Sequence, residues 1–386
     1  MKKEKSAGRR PEAGNGRTGM NGTAEGDRRT VVNGTAEGNR RQAESRKAVR
    51  RLAAGAVLAA GLLALLSGCG SRTASRRIVR IGHNQSVNHP THLALTAFQE
   101  MIGERLGDRF QVEVYPSELL GSQTDMVQLT QTGAMDFCVA SNAILETFSK
   151  DYELFNLPYL FQSTEAYHAA MEDEAVTGPV FSATRQAGFT AVAWLDAGTR
   201  NFYTVKKPVE RPEDLRGLKI RVQQSPTNIE MMRLLGGSAT PMGFGDVYTA
   251  LQSGVIDGAE NNEMALTDNG HGDVCRYYSY DMHQMVPDLL IGNNAFLDSL
   301  TEEERAVFDD AFEELERVQQ QEWGRAVEAA KNRAEREQQV TFLYPDRERF
   351  AAAVLPLHET VLEGNPALRP LYERIRQYNE SYASGQ

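Results

Sequence analysis

Residues 214–228 read DLRGLKIRVQQSPTN. Within them, Leu218-Lys219-Ile220-Arg221-Val222 alternates with the period of two expected of a half-buried strand. The polar residues Gln223 and Gln224, followed by Pro226, close it. A guanidinium therefore falls at the carboxyl end of an interior strand. Left unpaired there it would cost several kcal/mol, so Arg221 has to meet a carboxylate. The carboxylate comes either from an Asp or Glu of the chain or from a ligand held by the planar guanidinium fork. The local pattern leaves both open.

Around this strand the sequence repeats one construction twice. Downstream, NIEMMRLLGG reads as a helix with a Gly-Gly end, and FGDVYTALQSG as another with Asp246 as N-cap and Gly254 as stop. VIDGAENN gives a short strand. Upstream, AVAWL leads through Gly198-Thr199 to Arg200, a second arginine at a strand end. Nearer the start, RIVRIGH, RFQVEVYP and AMDFCVAS read as strands. Between them lie a helix burying Leu93, Ala97, Met101 and Leu106 up to Gly107, and a shorter helix closed by Gly133. This rhythm predicts an α/β protein of two similar lobes with mostly parallel sheets. Ligands in such sheets bind beyond the carboxyl ends of the strands, where Gly82-His83-Asn84-Gln85 and Ser141-Asn142 stand.

The aromatic-rich YELFNLPYLF (152–161) reads as core packing, and MVPDLLIGNNAFL as a strand returning to the first lobe. Thr301 and Glu304 form a capping box for a helix reaching about Gln339. Phe308, Ala311, Phe312, Leu315 and Val318 share one face, and Trp323, Val327, Ala330 and Ala334 then shift the stripe. Such a helix suits a brace between lobes.

The chain has 386 residues, 41% of them hydrophobic, enough for two or more domains. Residues 1–51, with NGTAEGDRR at 21–29 nearly duplicated as NGTAEGNRR at 33–41, read as disordered. Arg46, Lys47, Arg50 and Arg51 precede the apolar run 52–66, too short to span a bilayer comfortably. This is the layout of a secretory signal. Leu66-Ser67-Gly68-Cys69 resembles a lipobox, which implies lipidation of Cys69, export, and anchoring to the outer face of the cell membrane or residence in the periplasm. Residues 1–68 carry 14 Lys and Arg and 6 Asp and Glu, so 28 basic and 46 acidic residues follow, a net charge of about −18. That balance argues against nucleic acid and an anionic membrane surface as partners.

Motifs for catalysis are absent: there is no G-x-S-x-G, H-E-x-x-H, C-x-x-C or phosphate-binding loop. His83, His89 and His92 cluster, but they read as a solvated loop with one histidine reaching a pocket rather than as a metal site. Cys138, in the apolar run Phe137-Cys138-Val139-Ala140, reads as a buried free thiol, and its pairing with Cys275 is left open.

The run from PEDLRGLKIRV through SPTNIEMMRLLGGSATPMGFGDVYTALQSGVIDGAENN resembles the DctP-type solute-binding proteins. These are the extracytoplasmic receptors of tripartite ATP-independent periplasmic (TRAP) transporters. VEVYPSELLGSQTDMVQLTQTGAMDF and FNLPYLF extend the likeness over the first lobe. The resemblance implies a two-lobed periplasmic-binding-protein-like fold with a long bracing helix, closing on a small organic acid. It places lobe I at 77–197 and 287–326 and lobe II at 198–286 and 327–386, after a tether at 69–77. It implies that Arg221 of K-I-R-V clamps the ligand carboxylate, with Arg200 after G-T as a second contact. Phe244 of P-M-x-F would supply an apolar wall and Asn261 of D-G-x-E-N an amide.

Asn262 replaces the proline of the commoner family pattern. Ser141 and Asn142 stand where receptors of the sialic-acid type carry a glutamate. The GAENN form is similar to members that take hexuronates, and Asn84, Gln85, Asn142 and Gln223 would suit hydroxyls. The expected protein is a monomeric receptor without cofactor, handing its ligand to small and large permease subunits. A C4-dicarboxylate or keto-acid receptor, a same-fold sensor for a signalling kinase and a secreted sugar-acid enzyme are the alternatives.

Overall fold

The computed structural model describes residues 76–383. The leader, the signal segment, Cys69 and most of the tether fall outside that range. The strands are β1 (Arg77–Gly82), β2 (Phe110–Tyr115), β3 (Phe137–Ser141), β4 (Phe189–Leu195), β5 (Arg200–Thr204), β6 (Lys219–Val222), β7 (Ser238–Pro241), β8 (Gly258–Asn261), β9 (Tyr277–Gln284), β10 (Asp288–Asn293) and β11 (Thr341–Leu343). They form two sheets, ordered β2-β1-β3-β10-β4 and β11-β9-β5-β8-β6-β7. This is the expected two-lobed α/β architecture.

The sheets are more mixed than the β-α-β rhythm predicts. β1 runs parallel to β2 and β3, and β6 parallel to β7 and β8. β10, however, lies antiparallel between β3 and β4, and β5 antiparallel between β8 and β9. Each of these strands has just crossed from the other sheet, at 196–199 for β5 and 285–287 for β10. Entering from the far side, such a strand runs against its neighbours.

Each sheet owes its layer to the pattern that made it. Val79, Ile81, Phe137 and Val139 are buried on the first sheet, with Phe98, Phe308 and Phe312 over them. Phe98 stacks on Phe312 at 5.5 Å between ring centres. Burying each such ring contributes about 1.5–3 kcal/mol. The helix Pro90–Leu106 buries Ala94, Leu95, Phe98, Ile102 and Leu106. Leu93 is exposed and Ala97 and Met101 are only half-buried, so the expected face is turned by about one position. Both stripes are apolar, and packing under the helix Glu302–Arg336 selects between them.

That long helix carries the expected capping box and stops at Arg336, short of Gln339. Its first half buries Val307, Phe308, Ala311, Phe312 and Leu315 against the first sheet. Farther along, Trp323 and Ala330 pack on Met264, and Ala334 joins the core of the second sheet. It braces the two lobes. Trp323 also abuts the first crossing: a Cβ on Gly198, whose φ is +64°, would lie 3.0 Å from the indole. Glycine is required there on both counts.

Asp246 departs from its expected role. Its side chain makes no capping bond to the helix Val247–Ser253, because a 3-10 turn over Phe244–Asp246 leads into that helix instead. Tyr152, Phe155 and Phe161 are buried in the core, as 152–161 predicted. The final helix, Arg369–Ala383, grouped by sequence with the second lobe, docks on Thr164–Met171. Asn379 donates to the Leu160 carbonyl at 2.8 Å, and Arg374 pairs with Asp173. Cys138 and Cys275 are both buried and unpaired, and burial pushes each thiol up to about 12.

Candidate functional site

β6 ends between β8 and β7, so its last residues are walled on both sides. Lys219 stays exposed while Ile220, Arg221 and Val222 are buried, Arg221 with 3% of its surface accessible. Arg221 Nε and Nη2 both donate to the Met242 carbonyl, at 3.2 and 2.9 Å. The guanidinium lies 5.7 Å from the centre of the Phe244 ring, within cation–π range. No carboxylate of the described residues forms an ion pair with it, and its Nη1 donates to none of them. Burial, reinforced by the nearby Arg200 and opposed by Glu260, lowers its pKa. An arginine keeps its charge through such a shift. The structure thus places a held, buried cation at the end of the strand, with no described carboxylate in direct contact with it.

Arg200, the first residue of β5, is circumstanced differently. The β5–β8 pairing sets Phe202 opposite Glu260, and Arg200 Nε meets Glu260 Oε2 at 2.5 Å. Its Nη2 donates to the Glu260 carbonyl at 2.9 Å and its Nη1 to Asn261 Oδ1 at 3.2 Å. Behind Glu260, His283 is buried 3.6 Å from it and 2.7 Å from Asp281. Burial alone would raise the Glu260 carboxyl, but Arg200 and His283 outweigh it and hold it at about 2. Burial opposes His283's charge, yet Asp281 and Glu260 bring it up to about 9. The four alternate in sign, Asp281–His283–Glu260–Arg200, and fix the Arg200 head. Its charge is already met inside the protein.

Both arginines line one cleft that encloses about 520 Å³ of space, part of it open to solvent. Asn84, Gln85, Gln223, Phe244 and Asn261 line it too, brought there by the ends of β1, β6, β7 and β8. The Oδ1 of Asn84 and the Oε1 of Gln223 are buried without a protein partner.

Two anticipated residues lie behind it. The Asn142 amide donates to the Tyr152 carbonyl and Asn156 Oδ1, both at 2.8 Å, and the Ser141 backbone N–H donates to Gln123 Oε1 at 3.2 Å. The lining residues that sequence reasoning passed over include Gln123, Gln224, Asn262 and Asp288. Asp288 had a signal, as the acid interrupting the apolar run MVPDLLIG.

The histidines are not a solvated loop. His83 and His89 are buried, and burial lowers both to about 3, His92 adding to the effect at His83. His83 Nε2 lies 2.9 Å from His92 Nδ1. His89 caps the helix Pro90–Leu106 and meets Trp323 edge-on. Among the described residues no group of three His, Cys, Asp or Glu side chains is placed to hold a metal.

Two α/β lobes joined by two strand crossings and a bracing helix, with a buried arginine lining the cleft between them, define a solute-binding protein. Residues 81–365 match the family model described as bacterial extracellular solute-binding protein, family 7 (DctP). The chain belongs to that family, the solute receptors of TRAP transporters. Members bind small carboxylates and work with membrane permease components.

A TRAP solute-binding protein structure from Anaerococcus prevotii is 64% identical, covering 80% of this chain and 99% of that one, with TM-score 0.79 and bound α/β-D-glucuronate. One from Sulfitobacter sp. NAS-14.1 is 30% identical, covering 78% and 100%, with TM-score 0.75 and bound β-D-galacturonate. The protein YiiZ of Salmonella typhimurium is 39% identical over 314 residues, 81% of this chain and 95% of its own. No described helix is long and apolar enough to cross a membrane.

Proposed function

We propose that this receptor captures a hexuronate such as D-glucuronate or D-galacturonate, through the ligand's carboxylate and the Arg221 guanidinium. The observation that carries the reading is the cation itself: buried, held by Met242, and without an ion pair from the described residues. Hexuronates bound in the Anaerococcus and Sulfitobacter proteins support the choice of ligand. Arg200, already neutralised by Glu260, orients the site and offers donors rather than net charge. Phe244 forms the apolar wall, while Asn84, Gln85, Gln223 and Asn261 read hydroxyls. Ser141 and Asn142 support the cleft from behind.

The two lobes, divided at the crossings 196–199 and 285–287, close on the ligand by hinge motion and present the closed form to the permease. Cys69 anchors the exported monomer through lipid, and no chemistry is performed on the ligand. Thermal shift and calorimetry of residues 76–383 against hexuronates, aldonates and C4-dicarboxylates test the reading. Preferential stabilisation by a hexuronate is expected; a preference for a dicarboxylate rejects it.

A further inference from the structure

Among the described residues that line the cleft, Asp288 is the sole acid. It is the first residue of β10, immediately after the second crossing, paired in register with Ser141 of β3 and Leu195 of β4. Only 7% of its surface is accessible. No hydrogen-bond donor and no ion pair of the described residues meets its carboxylate. The charge acting on it is Arg200, whose own head is committed to Glu260 and Asn261.

Such a placement is costly. A carboxylate removed from water without donors is disfavoured, and burial, against the pull of Arg200, raises this one to about 6. The surrounding strand gains nothing from it: Leu289, Leu290 and Ile291 are fully buried in the cores on either face. An amide would fit the same space at lower cost. The geometry points to a donor that arrives with the solute.

We infer that Asp288 accepts the hydroxyl hydrogens of the bound sugar acid and excludes ligands that carry a second carboxylate. The inference rests on the hexuronate reading and names its specificity residue. Two adjacent hydroxyls offer two donors to the two oxygens of a carboxylate, and the ionised acceptor makes these bonds stronger than a neutral amide's. A dicarboxylate held at Arg221 would set its other anion in a desolvated cleft with Asp288, where like charges repel. The neutral groups Asn84, Gln223 and Asn261 cannot make that distinction, because an amide donates to an anion as readily as it accepts from a hydroxyl. One carboxylate performs both tasks.

The test compares wild type with Asp288→Asn and Asp288→Ala, by calorimetry and thermal shift, against D-glucuronate, D-galacturonate, D-gluconate and succinate. Expected are a loss of glucuronate affinity of about tenfold or more in both variants and a gain of similar size for succinate in Asp288→Asn. Both variants without ligand should melt at or above wild type, because a desolvated charge has been removed; this also shows that they fold. Glucuronate affinity within about threefold of wild type in Asp288→Asn would overturn the inference and leave the hexuronate reading standing. A lower melting temperature of unliganded Asp288→Asn would also overturn it, since the carboxylate would then have a structural partner. If wild type ignores glucuronate and galacturonate but binds gluconate, the hexuronate reading fails, and the loss on gluconate in the variants decides the role of Asp288. A wild type that prefers succinate, or binds neither hexuronate nor gluconate, overturns both.

Discussion

Replacing Arg221 with alanine removes, among the described residues that line the cleft, the cation that no carboxylate pairs with. The ligand carboxylate would then be desolvated without its partner. Truncating one member of a buried, hydrogen-bonded charge pair costs roughly 2–5 kcal/mol, which is about 30- to 5,000-fold in affinity. Arg221→Lys keeps a charge but loses the fork. Sacrificing one charge-assisted hydrogen bond at about 1.5–3 kcal/mol predicts a loss of roughly 10- to 150-fold. The unliganded fold should tolerate both changes: what the chain gives Arg221 is two donations to one carbonyl and a ring face, set against the cost of burying its charge. Calorimetry with D-glucuronate reads the affinities, and thermal denaturation without ligand reads the fold. In wild type, ligand at 100 times Kd should add about 2.7 kcal/mol, a shift of several degrees that Arg221→Ala should abolish. A folded Arg221→Ala protein that binds within about threefold of wild type refutes the clamp.

Three further outcomes follow from the same structure. Glu260→Gln removes the carboxylate that Arg200 pairs with in the interior and leaves His283 with Asp281 alone; breaking a buried pair costs about 3–5 kcal/mol, so Tm should fall by on the order of 10 °C in a calorimetric scan. Gly198→Ala forces an L side chain to φ +64° and against Trp323, costing at least ~1–2 kcal/mol, read as a lowered denaturant midpoint with unchanged slope. His83 and His89 take up protons at about 3 in the folded state and near 6.5 in the unfolded chain, so the unfolded chain binds more protons between those values. Stability is therefore lost as pH falls from 6.5 toward 3, by up to about 1.4 kcal/mol per pH unit for each group; His89→Asn, which preserves a capping side chain, should flatten the measured dependence of Tm on pH.

What could be read in the sequence was what short-range periodicity controls. Alternation located β6 and set Arg221 at its end, and the Thr301–Glu304 box located the start of the long helix. Features that depend on distant partners were not legible. Arg200 stood in the sequence as a second arginine at a strand end, and only the pairing of β5 with β8 brings Glu260 onto it. The helix Pro90–Leu106 is apolar on two adjoining stripes, so its buried face depends on a helix two hundred residues away in the chain. Asn142 was placed toward a ligand because it follows a strand, but the chain turns there into a short helix and its amide is taken by Tyr152 and Asn156. Asp288 was read as part of an apolar strand, and its isolation appears only when its surroundings are assembled.

The cleft holds two charges that the described residues leave without an ion pair. Arg221 and Asp288 line the same space and carry opposite signs, yet no ion pair joins them, and Arg200 is withdrawn from the contest by Glu260. Had Arg221 and Asp288 met, a ligand would first have to break their contact and would gain only the difference. Kept apart, both desolvation costs are borne by the empty protein and relieved when a solute brings an anion to one and hydroxyls to the other. The relief is divided across the architecture: Asn84 and Gln85 follow a strand of the first lobe, Arg221 ends a strand of the second, and Asp288 begins the strand that returns between them. A solute touching all of these binds the closed arrangement more tightly than any in which the lobes stand apart. That difference in affinity is what a ligand needs in order to shift a conformational equilibrium. Specificity and closure then have one physical source, and a ligand that leaves Asp288 unmet should bind weakly and close the lobes poorly.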